Sequence, residues 1–230
     1  LSGTNTYNGT TAIDAGKLVV SGSIGSSAVT VTGSGSTLAS GTTGTIGSSV
    51  TMNNGTILAA GDVNAVGTAT VGSGGLAMST GSIFDWDLQA ASATDPGVGA
   101  SNAATGTYDK VVASGAVSGT SAIFKVVLAG NSFADAFWDT NKSWTDIFTG
   151  AGAPADLSTI FTTFSGSGGI NSTGLVAGQG QFTFNGSSTL SWSAVPEPSN
   201  ASIAALLIGA GLLRRNRRRK SGDLRADISG

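Results

Sequence analysis

Short alternations of apolar and polar residues, each interrupted by a glycine turn, recur along residues 1–88. Before each turn the alternation has a period of two, as in Val29-Thr30-Val31 and Val50-Thr51-Met52, which places apolar side chains on one face of a strand. Each segment therefore predicts a strand end, a turn in which Gly supplies a positive φ, and a new strand. The four segments are Ile13-Asp14-Ala15-Gly16-Lys17-Leu18, Val31-Thr32-Gly33-Ser34-Gly35-Ser36-Thr37-Leu38, Met52-Asn53-Asn54-Gly55-Thr56-Ile57 and Met78-Ser79-Thr80-Gly81-Ser82-Ile83.

The first residues of these segments are 18, 21 and 26 positions apart. This spacing suits the coils of a β-solenoid, in which each strand pairs with its equivalents in the neighbouring coils and the apolar faces line a common interior. A sandwich of antiparallel hairpins is the alternative, because turn signals recur there too. In the solenoid register we predict that Val31, Met52 and Ile83 point into the interior.

The rest of the chain predicts a less regular β-rich region. Residues 89–110 are rich in small residues without apolar periodicity and indicate an insertion loop. Strands are predicted over 110–117 and 122–128, and an amphipathic helix follows Asp156, because Leu157, Ile160, Phe161 and Phe164 have helical spacing. A hairpin is predicted around Asn185-Gly186. An aromatic cluster is expected from Phe133, Phe137, Trp138, Trp144, Ile147 and Phe148.

The C-terminal segment has three parts in a fixed order. Val195-Pro196-Glu197-Pro198-Ser199 is expected to stay extended, because proline joins neither a helix interior nor a central strand. Residues 201–213 carry no charge and would form a helix of about 20 Å, against a hydrocarbon core of about 30 Å. Basic residues follow and would remain on the cytoplasmic side: Arg214, Arg215, Arg217, Arg218, Arg219 and Lys220. An ordinary single-pass anchor is the alternative interpretation of this segment.

Composition narrows the function classes. The chain has no Cys and no His, which removes thiolate and imidazole metal ligands, thiol nucleophiles and histidine acid–base catalysis. Residues 1–213 hold four lysines and no arginine against eleven acids, a net charge of −7, so nucleic-acid binding is not expected. We predict no catalytic residue, no metal site and no cofactor.

Asp85 and Asp87 flank Trp86 on a predicted strand, so their carboxylates share one face. Such a pair could act in glycoside hydrolysis or bind Ca²⁺. The favoured interpretation is a solvated strand face, because one pair of acids supplies too few ligands.

Two stretches resemble known families. The run from Gly3 to Thr11, GTNTYNGTT, with its continuation through Leu18 to Ser23, looks like the autotransporter-associated β-strand repeat, and the segments 55–61 and 81–88 are similar to that family's closing coils. The resemblance covers about residues 1–88. It implies a right-handed parallel β-helix in a secreted passenger.

The order Pro196-Glu197-Pro198, apolar segment and arginine cluster closely resembles the PEP-CTERM sorting signal. The resemblance implies recognition by an exosortase-type processing enzyme of a Gram-negative bacterium. It further implies a transient stay in the inner membrane, through 201–213, before transfer to the cell surface or extracellular matrix.

The sequence thus predicts a mainly β protein: a right-handed parallel solenoid over 1–88, the insertion loop 89–110, a C-terminal β-rich cap with short helices over 111–194, the sorting signal 195–220 with its single apolar helix, and a polar tail 221–230. We expect an exported, non-enzymatic structural or adhesin-like surface protein, with exopolysaccharide or a surface matrix as partner. The alternative is the C-terminal part of a β-helix polysaccharide-active enzyme or autotransporter-like passenger. Because the chain begins at Leu1 without a signal-peptide pattern, we expect that signal upstream.

Overall fold

The fold is mainly β in a computed structural model that describes residues 1–62, 64–89, 108–128, 132–186 and 188–195. Leu1–Val195 is one compact unit. The predicted apolar helix 201–213 and most of the predicted insertion loop, 90–107, lie outside the described residues. None of the helices in the described ranges has the length and apolarity that a membrane crossing requires.

The chain passes through three parallel sheets in turn, so that from β1 to β15 every third strand belongs to the same sheet. Such an order is compatible with a β-solenoid and differs from the alternative of antiparallel hairpins. The first sheet comprises β1 (Thr4–Asn5), β4 (Ser23–Ile24), β7 (Thr45–Ile46), β10 (Thr68–Val71), β13 (Lys110–Ala113) and β17 (Phe148–Thr149). The second comprises β2 (Thr11–Ile13), β5 (Val29–Val31), β8 (Val50–Met52), β11 (Leu76–Met78) and β14 (Val117–Gly119). The third comprises β3 (Lys17–Val19), β6 (Thr37–Ala39), β9 (Ile57–Ala59), β12 (Ile83–Leu88), β15 (Ala122–Leu128) and β18 (Phe161–Gly166).

The four predicted strand–turn–strand segments are confirmed. They join β2 to β3, β5 to β6, β8 to β9, and β11 to β12. In each turn a glycine (Gly16, Gly35, Gly55 or Gly81) has a φ between +74° and +80°. An L-residue with a Cβ rarely adopts this conformation, which is why the repeats carry glycine at this point.

The interior register is confirmed at two of the three predicted positions. Val31 and Met52 are adjacent in the second sheet and fully buried. Ile83 is only half-buried, because it pairs with Ile57 on the outer side of the third sheet. Its neighbour Phe84 points inward instead, in a row with Leu58. The prediction was therefore wrong by one residue, a shift that moves a strand side chain to the opposite face.

All three parallel sheets continue beyond residue 88. The strand predicted over 110–117 is interrupted by a turn, so that β13 lies in the first sheet and β14 in the second. The strand predicted over 122–128 is confirmed as β15. All six residues of the expected aromatic cluster are buried, and ring contacts join Phe133, Phe137 and Trp144 through Trp138, while Phe148 packs against Phe84 and Phe161. The cluster joins a larger aromatic core, in which Phe124 contacts Phe84 and Trp86 at ring-centroid distances of 5.5 and 5.6 Å.

The helix predicted after Asp156 is limited to one short turn. Asp156 does cap it, because its carboxylate accepts the Ser158 N–H at 2.8 Å, but the 3-10 helix covers only Leu157–Thr159. Phe161 and Phe164 lie on β18, which pairs with β15 through an irregularity between Ala122 and Ile123. Thr162 is the extra residue of this bulge, and it lets Phe161 and Phe164 both point inward. A bulged strand can therefore show the same spacing of buried residues as a helix.

A fourth sheet is antiparallel. Its strand order is β16 (Lys142–Trp144), β21 (Thr189–Ala194), β20 (Gly180–Asn185) and β19 (Leu175–Val176). The pairing of β20 with β21 confirms the predicted hairpin. Two further 3-10 helices cover Ala136–Asp139 and Ser167–Gly169.

Candidate functional site

Val195 is the one residue of the predicted sorting signal that the structure describes. It follows β21 directly, is half exposed, and donates its backbone N–H to the carbonyl of Gln179 at 2.8 Å. The other motif residues (Pro196, Glu197, Pro198 and Ser199), the apolar segment 201–213, the basic cluster from Arg214 to Lys220 and the tail 221–230 lie outside the described residues.

The second candidate site is a group of buried aspartates around β12. Asp85 and Asp87 alternate with Trp86 on this strand, yet both are buried, with exposed fractions of 2% and 0%. The interpretation as a solvated strand face was therefore wrong. The segment that leads into β13 adds a third buried carboxyl, Asp109.

Backbone N–H groups bind two of these carboxyls. Ala65 donates to Oδ2 of Asp87 at 3.1 Å, and Gly67 donates to Oδ1 of Asp109 at 2.8 Å. The Asp87 N–H donates to Oδ2 of Asp109 at 3.1 Å, which links β12 to the segment before β13. Main-chain donors thus hold Asp87 and Asp109 in place.

Asp85 instead forms an ion pair with Lys125 on the adjacent strand β15. Residues 85 and 125 are paired in register, and the Lys125 Nζ lies 3.1 Å from Oδ2 of Asp85. The lysine side chain is 35% exposed. In the described part of the chain, Oδ1 of Asp85 and Oδ1 of Asp87 are buried without a hydrogen-bond partner. The Lys125–Asp85 ion pair is therefore in close contact, but Asp85 is not fully hydrogen-bonded.

Burial changes the protonation of two of the acids. It raises the pKa of Asp87 from the usual 3.8 to about 6, with repulsion from Asp85 as the second cause. It raises the pKa of Asp109 from 3.8 to about 8, although the N–H groups of Asp87 and Gly67 favour the charged form. At neutral pH, therefore, the Asp109 carboxyl is mostly protonated, while Asp87 is close to its titration range.

The arrangement limits the chemistry that a ligand could meet here. A polysaccharide cannot reach carboxyls as buried as Asp85 and Asp87 without a change of structure. Across the described residues, no group of three or more acidic side chains is placed to hold a metal ion. What the site does present is a carboxylate and an ammonium group in contact, beside an acid with a raised pKa.

Sequence reasoning found Asp85 and Asp87 but missed Asp109 and Lys125. Lys125 had a signal, because it is the single charge within the apolar strand Ala-Ile-Phe-Lys-Val-Val-Leu of residues 122–128. No sequence signal pointed to Asp109, because it lies near the end of the predicted insertion loop 89–110.

Comparison with protein-family models, curated proteins and solved structures found no significant match to this chain.

Proposed function

We propose that this protein is an exported, non-enzymatic surface protein with a structural or adhesin-like role, and that its C-terminal segment is a removable sorting signal. Its body would be a right-handed β-solenoid with a β-rich end, displayed at the surface of a Gram-negative bacterium. Exopolysaccharide or a surface matrix would be its partner. The observation that carries the proposal is the order of motif, apolar segment and basic cluster directly after β21.

Physical chemistry gives each part of this segment a role. Pro196 has no N–H to donate, so the chain cannot extend β21 as a regular ladder, and the half-exposed Val195 is consistent with a motif that an enzyme could reach. The thirteen uncharged residues 201–213 would hold the motif at the outer face of the inner membrane. The basic cluster would fix orientation, because arginine and lysine remain on the cytoplasmic side.

The test is fractionation of a Gram-negative strain that has an exosortase-type enzyme, with mass spectrometry of the mature C-terminus. Replacing both Pro196 and Pro198 by Ala should leave uncleaved protein in the inner membrane, because the helix can extend into the motif. Pro154→Ala, a change in the folded body, is the matched control and should be processed normally.

A second variant separates retention from cleavage. Replacing Arg214, Arg215, Arg217, Arg218 and Arg219 by Ser removes most of the basic anchor and should weaken retention and orientation. If surface-located protein of the unaltered chain still ends at Gly230, the segment is a plain anchor and the sorting proposal is wrong.

A further inference from the structure

The Lys125–Asp85 pair differs from the other ion pair between described side chains. Lys17 and Asp62 also lie in contact, with Nζ 2.6 Å from Oδ1, but both side chains are exposed, at 41% and 45%. Water solvates both charges of that pair, so the contact contributes little to stability. Asp85 is 2% exposed, and one of its two oxygens has no partner among the described residues.

Burial of Asp85 is costly, because its carboxylate has lost most of its hydration and only the partly exposed Lys125 ammonium compensates its charge. The 3.1 Å contact would let the Lys125 ammonium pass a proton directly to the Asp85 carboxylate, which gives a neutral amine and a carboxylic acid. A neutral amine in contact with a carboxylic acid is also a nucleophile beside an electrophile. Strand pairing holds the two groups in register, so little orientational entropy remains to be lost in a reaction between them.

We propose that Lys125 and Asp85 condense to an intramolecular amide bond that covalently joins β12 to β15, with Asp87 assisting the reaction. The Lys125 nitrogen attacks Cγ of Asp85, so that a C–N bond forms. The C–O bond to the carboxyl hydroxyl breaks, and that hydroxyl leaves with one proton as water. The second amine proton remains on the amide, and no oxidant or co-reactant is needed.

Asp87 would move the protons in this reaction. It is two residues from Asp85 on the same strand face, and its charge interacts with those of both Asp85 and Lys125. As an acid it would protonate the leaving hydroxyl, and it would recover a proton from the attacking nitrogen. The partly exposed lysine side gives the released water a route to solvent.

The groups that face Asp87 come from four parts of the chain. Asp85 is on its own strand, Lys125 is on β15, and Asp109 precedes β13, while the backbone N–H groups of Asn64 and Ala65 donate to the carboxyl. Burial is the largest influence and raises the Asp87 pKa to about 6. Because Asp87 transfers the protons in this proposal, the reaction rate should follow its protonation.

The first experiment is intact-mass measurement of the full recombinant chain under denaturing conditions. The expected mass is lower than the sequence mass by one water molecule. Tryptic digestion should yield a branched product that joins residues 18–110 to 111–142, uncleaved after Lys125. The full sequence mass overturns the proposal, and so does a water loss located at any other residue, such as a cyclised aspartate.

Matched lysine variants identify the reacting pair. Lys125→Arg keeps the positive charge but removes the primary amine, so the full sequence mass is expected. Lys17→Arg makes the same change in the exposed pair and should retain the water loss. Water loss that persists in Lys125→Arg, or disappears in Lys17→Arg while circular dichroism shows folded protein, contradicts the assignment.

The role of Asp87 is tested in chain purified in denaturant and then refolded, with the mass followed over time. Asp87→Asn should slow the loss of water by about 100-fold, a typical effect of removing an acid–base group, and Asp87→Glu should restore part of the rate. In the unaltered chain the rate should fall as pH rises above about 6, and Asp87→Asn should lose this dependence. An unchanged rate and pH profile in folded Asp87→Asn removes Asp87 from the reaction.

Discussion

The indole N–H of Trp86 donates to the main-chain carbonyl of Asp109 at 3.1 Å, and both residues are completely buried. The bond connects β12 with the segment that leads into β13. It therefore joins the two sides of the undescribed stretch 90–107 by a contact that does not depend on that stretch. The same two segments also share the bond from the Asp87 N–H to the Asp109 carboxyl.

Trp86→Phe should lower the free energy of unfolding by about 1–3 kcal/mol, because the carbonyl of Asp109 loses a buried donor. Urea denaturation followed by circular dichroism measures the change. Tyr7→Phe is the control: Tyr7 is 40% exposed, and its hydroxyl contacts only the Thr11 hydroxyl within the described residues, so stability should barely change. Equal effects of the two substitutions would contradict a structural role for the Trp86 bond.

Val31→Asp should destabilise the protein by more than about 3 kcal/mol, the upper end for an unsatisfied buried polar group. Val31 lies in an interior row between Ile13 and Met52, where a carboxylate has no solvent. Thr30→Asp, one residue away on the outer face, is the matched control and should be tolerated. Thermal unfolding of both variants checks the inside–outside assignment, which fails if Thr30→Asp is the more damaging.

Gly16→Ala should cost about 1–2 kcal/mol through backbone strain alone, since a Cβ is disfavoured in the left-handed region. Gly16 has a φ of +80°, and an added Cβ there would meet nothing within 4 Å. Gly9→Ala also meets open space, without the positive φ, and should be neutral or slightly stabilising. Chemical denaturation of the pair separates strain from crowding, and equal stabilities would exclude strain at Gly16.

The stability of the protein should fall as pH rises from about 4 to about 8. Asp87 and Asp109 keep their protons in the folded state up to about pH 6 and 8, whereas in the unfolded chain they ionise near 3.8. The folded state therefore binds more protons in this window, and raising pH removes the stabilisation that those protons provide. Urea titrations across the window measure the slope.

Asp109→Asn is the control for this slope, because an amide of similar size does not titrate. The slope between pH 6 and about 8 should largely disappear in the variant. A variant that retains the full slope would show that other groups set the pH dependence.

The strand–turn–strand order could be predicted because period-two alternation and turn glycines are local features. Which residues of β12 face the interior could not be predicted, because Ile83 and Phe84 are both apolar. Only the pairing of Leu58 with Phe84 decides which of the two points inward. Likewise, a bulge in β18 gives Phe161 and Phe164 a helix-like spacing that local sequence cannot distinguish from a helix.

The buried aspartates illustrate a different limit. Alternation correctly put Asp85 and Asp87 on one face, but whether that face meets water depends on residues distant in sequence, such as Ala65 and Asp109. The pairing of Asp85 with Lys125 depends likewise on the register of two strands forty positions apart. No local pattern carries that information.

The rotation of the chain through three sheets also bears on the order in which the protein folds. Paired strands are close in sequence: Thr11 faces Val29, Val29 faces Val50, and Val50 faces Leu76. The loop-closure entropy is therefore similar at each step, and structure can spread from one cycle to the next. Every aromatic residue except Tyr7 lies between Phe84 and Trp192, so we expect the C-terminal half to form the folding nucleus. The earlier strands, whose buried residues are aliphatic, would then pair with the edge of each sheet one after another.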